Sequence, residues 1–297
     1  MPREAIMNDR IVAGVDGSAE GLAAAHWAAR EALLRGVPLH LVHAEEWSSP
    51  RSLAVPTSEV RRHWAQALLT ETADELRARH PELDVHVRSF DGRPAAELSG
   101  MAAGSDMIVL GSRGLGTVTG FILGSVGMAV IQATVRPVVM VRANEAAAQH
   151  PDGRHGAREL LVGVDTSRPC EALLAFAFEE AARRACALHI LHNWSLPPLV
   201  GYGAAYDPRV HAQLEMSADA SLRDVLAPWQ DKYPDVGVIA RASVGHAATE
   251  LIRMGSGADL IVVGRRIRRS SVGAHIGPVA HAVLHHAKAP VAVIAHE

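Results

Sequence analysis

The sequence predicts an α/β protein built from two tandem, doubly wound, five-stranded parallel-sheet domains of Rossmann-like type. Three observations carry that prediction. Segments recur in the same order at a nearly constant offset. Short apolar, β-branched runs alternate with helical patterns. The 297 residues are long for one domain and comfortable for two of about 150 each.

The repeat is explicit. IVAGVDGS from Ile11 returns as LLVGVDTS from Leu160, and LHLVH from Leu39 as LHILH from Leu188, both 149 residues on. DMIVLG at Asp106 returns as DLIVVG at Asp259, and RPVVMV at Arg136 as APVAVI at Ala289, both 153 residues on, so a small insertion lies between. The first domain is expected over 1–143 and the second over 159–297, joined by a linker at 144–158. That linker is polar, holds Pro151, Gly153 and Gly156, and has no apolar period.

In the first copy, strands are predicted near 10–15, 39–44, 84–89, 106–111 and 136–142. All but the third are nearly continuous apolar runs, the signature of strands covered on both faces. Helices are predicted near 18–35, 58–80, 94–104 and 125–134, with Ser18 and Ser58 as N-caps and Val60, Trp64, Leu68 and Leu76 along one face of the second. The second copy repeats the plan, with Ser167 as the first cap and Val210, Leu214, Val225 and Trp229 along its long helix. In such sheets ligands bind beyond the strand C-termini where the strand order reverses. Attention therefore falls on the loops after the first and fourth strands.

Composition narrows the function classes. Hydrophobic residues make up 48% and the net charge is −3, which fits a packed core and gives no basic footprint for nucleic acid. No run approaches 18 apolar residues and the charged N-terminus is not a signal peptide, so neither a membrane nor export is expected. Two cysteines, Cys170 and Cys186, read as buried thiols of a cytoplasmic protein.

The loop after the fourth strand reads GSRGLGTVTGFILGS and ends where a helix begins. A glycine-rich turn entering a helix aims free backbone N–H groups at one point, where a phosphate gains from them and from the helix dipole. Arg113 adds charge and Ser125 a hydroxyl. The loop lacks a Walker A lysine, and it follows the wrong strand for a dinucleotide fingerprint.

The spacing Gly111-x2-Gly114-x9-Gly124-Ser125, with GVDGS at 14–18, LVHA at 41–44 and the closing RPVVMV, resembles the universal stress proteins of ATP-binding type, in their tandem form. The resemblance implies a nucleotide site in the first copy. Val15 and Ala44 would line the adenine, and Asp16 would accept from ribose hydroxyls, a role that competes with capping the next helix. Gly111, Arg113, Gly114, Gly124, Ser125 and Val126 would surround the ribose and phosphates. It implies ATP with Mg2+ as ligand, with cyclic AMP as the alternative for the same slot. It also implies a last strand that pairs domains edge to edge, within the chain or in a homodimer, and a protein partner that reads the ordered loop.

The second copy departs from the pattern. Its loop, GRRIRRSSVGAHIGP, puts Ile267 where the first has a glycine and Pro278 where it has Ser125. Arg265, Arg266, Arg268 and Arg269 bring charge instead, so the candidate contacts there are Asp165, Asn193, Gly264, Arg265, Arg266, Gly277 and Val279. Ion pairs to a polyphosphate and a solvated surface loop both fit that pattern.

Other constellations are weaker. His281 and His285, four apart, read as a surface patch without a third metal ligand, and His43 and His192 as packed residues ending equivalent strands. No catalytic residues or metal ligands are assigned. The expected function is that of a non-enzymatic, cytoplasmic nucleotide binder that senses or buffers adenine nucleotide and regulates stress adaptation. The alternatives are a slow ATPase or nucleotidyl transferase, or a structural interaction module.

Overall fold

The computed structural model describes residues 10–45, 58–112, 124–143, 159–194, 208–267 and 276–297. The chain divides into two compact units, residues 1–151 and 152–297.

In the first unit the described elements run β1 (Ile11–Gly14), α1 (Ala19–Arg35), β2 (Leu39–Glu45), α2 (Ser58–Arg79), β3 (Val85–Asp91), α3 (Pro94–Ala102), β4 (Met107–Gly111), α4 (Ser125–Ala133) and β5 (Val138–Val141). The strands are parallel in the order β3-β2-β1-β4-β5. Crossovers lead away from β1 in both directions, so right-handed connections place α1 and α2 on one face and α3 and α4 on the other. The observed contacts agree: α1 packs on β1, β4 and β5 and touches α2, while α3 lies on β1, β2 and β4 and touches α4. The switch point therefore falls between β1 and β4.

Residue choice explains the layers. Ile11, Leu39, Leu41, Met107 and Ile108 fill the sheet interior. Ala24, Ala25, Ala28, Ala29 and Ala32 form the buried face of α1, small enough to let the helix lie close against the strands. The edge strand β3 is the one with an interrupted apolar pattern, as the sequence implied.

The second unit repeats the design with β6 (Glu159–Val164), α5 (Glu171–Arg184), β7 (Ala187–Trp194), α6 (Pro208–Lys232), β8 (Val238–Val244), α7 (Ala247–Met254), β9 (Leu260–Arg266), α8 (Pro278–His286) and β10 (Val291–His296), in the order β10-β9-β6-β7-β8. Phe178 of α5 is fully buried and stacks on Trp229 and Tyr233, with ring centroids 5.9 and 5.7 Å away.

Three sequence expectations need correction. The buried face of α2 is Ala65, Leu69, Thr72, Ala73 and Leu76, whereas Val60 and Trp64 are exposed. Ala65, Leu69, Thr72, Ala73 and Leu76 recur at helical spacing on the side that meets the sheet, and Val60 and Trp64 fall outside that stripe. On α6 the buried residues are Leu222 and Leu226, and Val210 is exposed. Ser167 does not cap α5. That helix starts at Glu171 behind Cys170, because Pro169 keeps the residue before it out of helical geometry.

Candidate functional site

Beyond the C-terminal end of β1 the chain turns through Val15, Asp16 and Gly17 into α1. Val15 is buried, and its amide donates to the Val42 carbonyl over 2.8 Å. One oxygen of Asp16, Oδ1, accepts from the Ser18 amide at 3.0 Å and the Ser18 hydroxyl at 2.5 Å. The Ser18 hydroxyl oxygen in turn accepts from the Gly21 amide at 3.0 Å, which caps α1. Capping thus occupies one Asp16 oxygen, and Oδ2 has no hydrogen bond among the described residues. Both of the weighed roles fit one carboxylate.

The end of β4 meets this turn. A Cβ on Gly111 would lie 2.8 Å from the Gly21 amide nitrogen, and one on Gly21 would lie 2.5 Å from Asp16 Oδ1. Gly111 is therefore explained by close packing of β4 on the first turn of α1. The loop that follows begins and ends at one place, since the Gly124 amide donates to the Ser112 carbonyl over 3.0 Å. Gly124 is the N-cap of α4 with ordinary extended backbone, φ −61°, and no side chain caps the helix. Ser125 is exposed and Val126 half-buried on its first turn. Arg113 and Gly114 lie outside the described residues.

Ser112, which the glycine spacing of the loop does not single out, stands at the same place. It is 2% exposed, and its hydroxyl has no hydrogen-bond partner among the described residues. A serine between the first two glycines of the loop was the available signal. Trp64, which the sequence sets on one face of the second helix, has its ring 3.3 Å from where a Gly17 Cβ would stand and meets His43 edge-on, centroids 5.4 Å apart. Ala44 follows His43 on β2 and is half-buried. A cavity of about 160 Å³ opens between α2 and the ends of β2 and β3, lined by His43, Arg61, Arg62, Ala65 and Phe90 among others.

In the second unit the matching residues are engaged by neighbours of their own. Asp165 Oδ1 accepts from Ser167, and its Oδ2 pairs with Arg168 at 3.2 Å. Asn193 donates to the Ser243 hydroxyl over 2.9 Å. Gly264, Arg265 and Arg266 are not loop residues. They extend β9 alongside Ile294, Ala295 and His296 of β10, and the Ile267 amide continues the ladder to the His296 carbonyl over 2.6 Å. Ile267 needs no left-handed backbone. Arg265 is only 5% exposed, and that burial pushes its guanidinium below the usual range, while Arg266 is exposed. Gly277 caps α8 ahead of Pro278, and Val279 is half-buried on its first turn. Arg268 and Arg269 lie outside the described residues. The structure thus brings Val15, Asp16, Gly111, Gly124 and Ser125 to one end of the first sheet, whereas in the second unit Arg168 pairs with the Asp165 oxygen whose counterpart on Asp16 is open.

A doubly wound parallel sheet with two loops apposed beyond its switch point is the architecture of Rossmann-like ligand-binding domains. The profile of the universal stress protein family matches residues 7–142 and again 156–295, so the chain belongs to that family as a tandem member. Universal stress proteins of Mycobacterium tuberculosis are similar along nearly their whole length. One is 32% identical over 291 residues, covering 95% of this chain and 96% of its own. Another is 32% identical over 292 residues, covering 95% of each. Among solved structures, a universal stress protein from Archaeoglobus fulgidus aligns with 98% of this chain and 100% of its own at a TM-score of 0.68 and 18% identity, a likeness of fold. A universal stress protein crystallised with cAMP aligns with 46% of this chain and 98% of its own, at a TM-score of 0.38 and 27% identity. Among the described residues, no helix is long and apolar enough to cross a membrane.

Proposed function

We propose that the chain is a cytosolic adenine-nucleotide-binding universal stress protein whose working site lies in the first unit. The observation that supports this best is the meeting of three features at the β1/β4 switch point. The Gly124–Ser112 hydrogen bond sets the uncapped start of α4 beside the end of β4. The buried Ser112 hydroxyl there has no hydrogen-bond partner among the described residues. The Asp16 carboxylate, with one oxygen open, packs against the same turn of α1 as Gly111. Free amides and a hydroxyl suit phosphate, and a carboxylate suits ribose hydroxyls. Val15 and Ala44 supply the apolar contact for a base.

Magnesium would enter with the triphosphate, held by phosphate oxygens and water. Among the described residues, no group of three or more His, Cys, Asp or Glu side chains is gathered for a metal. The protein acts in this reading as a sensor or buffer of nucleotide state in stress adaptation, through a partner that reads the occupied first unit.

Calorimetry with ATP and with cyclic AMP tests the proposal. The expected stoichiometry is one nucleotide per chain, lost in Gly124→Glu. No binding of either ligand overturns the reading, and tighter binding of cyclic AMP reassigns the ligand. Phosphate release above the background of an Asp16→Ala, Ser125→Ala variant would make the protein an enzyme instead.

A further inference from the structure

The chain has 17 histidines, and only His281 and His285 stand four residues apart. Both lie on α8, whose inward face is Ala280, Val283 and Leu284. Residues four apart on a helix are neighbours on one face. Here the neighbours are two imidazoles on the outer face. His281 is exposed and His285 half-buried, and their ring centroids lie 4.3 Å apart with 34° between the ring planes. The sequence sets the pair in one stripe, and the structure adds that the rings meet.

Imidazole is the commonest protein ligand for borderline divalent metals. With nitrogen–metal distances of about 2.0–2.1 Å, each ring centre stands roughly 3.2 Å from a shared ion. Two rings at a right angle about that ion are then roughly 4.5 Å apart, and a tetrahedral angle spreads them to roughly 5.2 Å. The observed 4.3 Å fits the right angle of tetragonal Cu2+ or Ni2+. The pair also spans the last turn of α8, where the negative end of the helix dipole favours a cation. An imidazole that ligates through one nitrogen commonly hydrogen-bonds through the other, so a neighbour at the second nitrogen leaves the chelate whole.

Another close pair lacks these advantages. His40 and His86 face each other across β2 and β3 with ring centroids 4.8 Å apart. Arg10 and Arg88 stand near enough to oppose a positive charge on His40, and they repel a metal ion for the same reason. In the first unit the residues matching His281 and His285 are Met128 and Gln132, a thioether and an amide, which do not form such a chelate.

We propose that His281 and His285 chelate one borderline divalent ion, Cu2+ or Ni2+, with water completing its coordination. Two protein ligands make an open site, unlike the closed four-ligand sites that hold structural zinc. The inference stands apart from the nucleotide reading, since the site lies on the last helix of the second unit.

The test uses the untagged full chain with Cu2+ and Ni2+ as probes. In wild type, substoichiometric paramagnetic Cu2+ should broaden the ring resonances of His281 and His285 before those of the other histidines. Calorimetry with Ni2+ should show a strongest site that weakens about tenfold or more in His281→Gln and in His285→Gln, because each variant reduces a chelate to a single ligand. The same site should be unchanged in His86→Gln. Broadening that begins at other histidines overturns the inference. So does a strongest site that survives both α8 substitutions, or one that His86→Gln weakens instead. The broadening is read in wild type, so a variant that fails to fold does not spoil the test.

Discussion

Gly111 and Gly21 approach so closely that a methyl group on the first would stand 2.8 Å from the amide nitrogen of the second. The neighbour is backbone, which cannot swing aside as a side chain can. Gly111→Ala should therefore destabilise the protein by about 1–3 kcal/mol, the range for overpacking a tight contact. Urea unfolding checks this, and an unchanged midpoint would show that β4 and α1 can separate freely.

Gly124 predicts the opposite for stability. Among the described residues its added Cβ would meet only the Ser112 carbonyl oxygen, at 3.9 Å, and its φ of −61° suits any residue. Gly124→Ala should shift stability by no more than about 0.5 kcal/mol. Paired with the loss of nucleotide in Gly124→Glu, thermal melts of both variants separate a ligand role for this glycine from a folding role.

The helices α1 and α5 end at matching residues, Gly36 with φ 67° and Ala185 with φ 47°. Only the alanine bears the cost of a left-handed Cβ, about 1–2 kcal/mol. Ala185→Gly should stabilise the protein by about 0.5–1 kcal/mol, the remainder being lost to glycine's extra freedom in the unfolded chain. Gly36→Ala should destabilise it. Denaturant midpoints of the two variants moving in the same direction would contradict the assignment.

Burial holds the His40 imidazole below its ordinary 6.5, helped by the neighbouring His86 and Arg10, and burial likewise lowers His26 against the pull of Glu75. The unfolded chain then binds these protons more readily than the folded one. Stability should be full above pH about 6.5 and fall as the pH drops through that value. Melting temperatures between pH 7.5 and 5 measure the slope, which His40→Gln should flatten.

Burial also pushes the Cys170 thiol up to about 11, with Glu171 and Asp165 adding to the effect. The thiolate is the reactive form. Alkylation at pH 8 should therefore be at least tenfold slower at native Cys170 than in the unfolded chain, read by mass spectrometry of the labelled peptide. Prompt labelling of the native protein would refute this.

The order and type of these elements were legible because apolar period and repeat agree: β2 begins at Leu39 and α4 opens at Ser125, where the sequence placed them. What escaped depends on three-dimensional neighbours. Trp64 looks like core by composition, and only the fold places it beside Gly17 and His43. Arg265 and Arg266 look like a charged loop, and only the extended end of β10 makes them a strand. Likewise Ser112 is an ordinary serine until burial isolates its hydroxyl.

The hydrogen bond between the Gly124 amide and the Ser112 carbonyl clasps the start of α4 to the end of β4, on either side of the segment that joins them. A segment whose two ends are held in this way can change in length at low cost to the scaffold. Its closure entropy grows only with the logarithm of length, about 0.6 kcal/mol per doubling. The strand that enters it and the helix that leaves it need only preserve the clasp. Such an arrangement leaves the connection free to change its chemistry while the strand and helix that flank it keep their own.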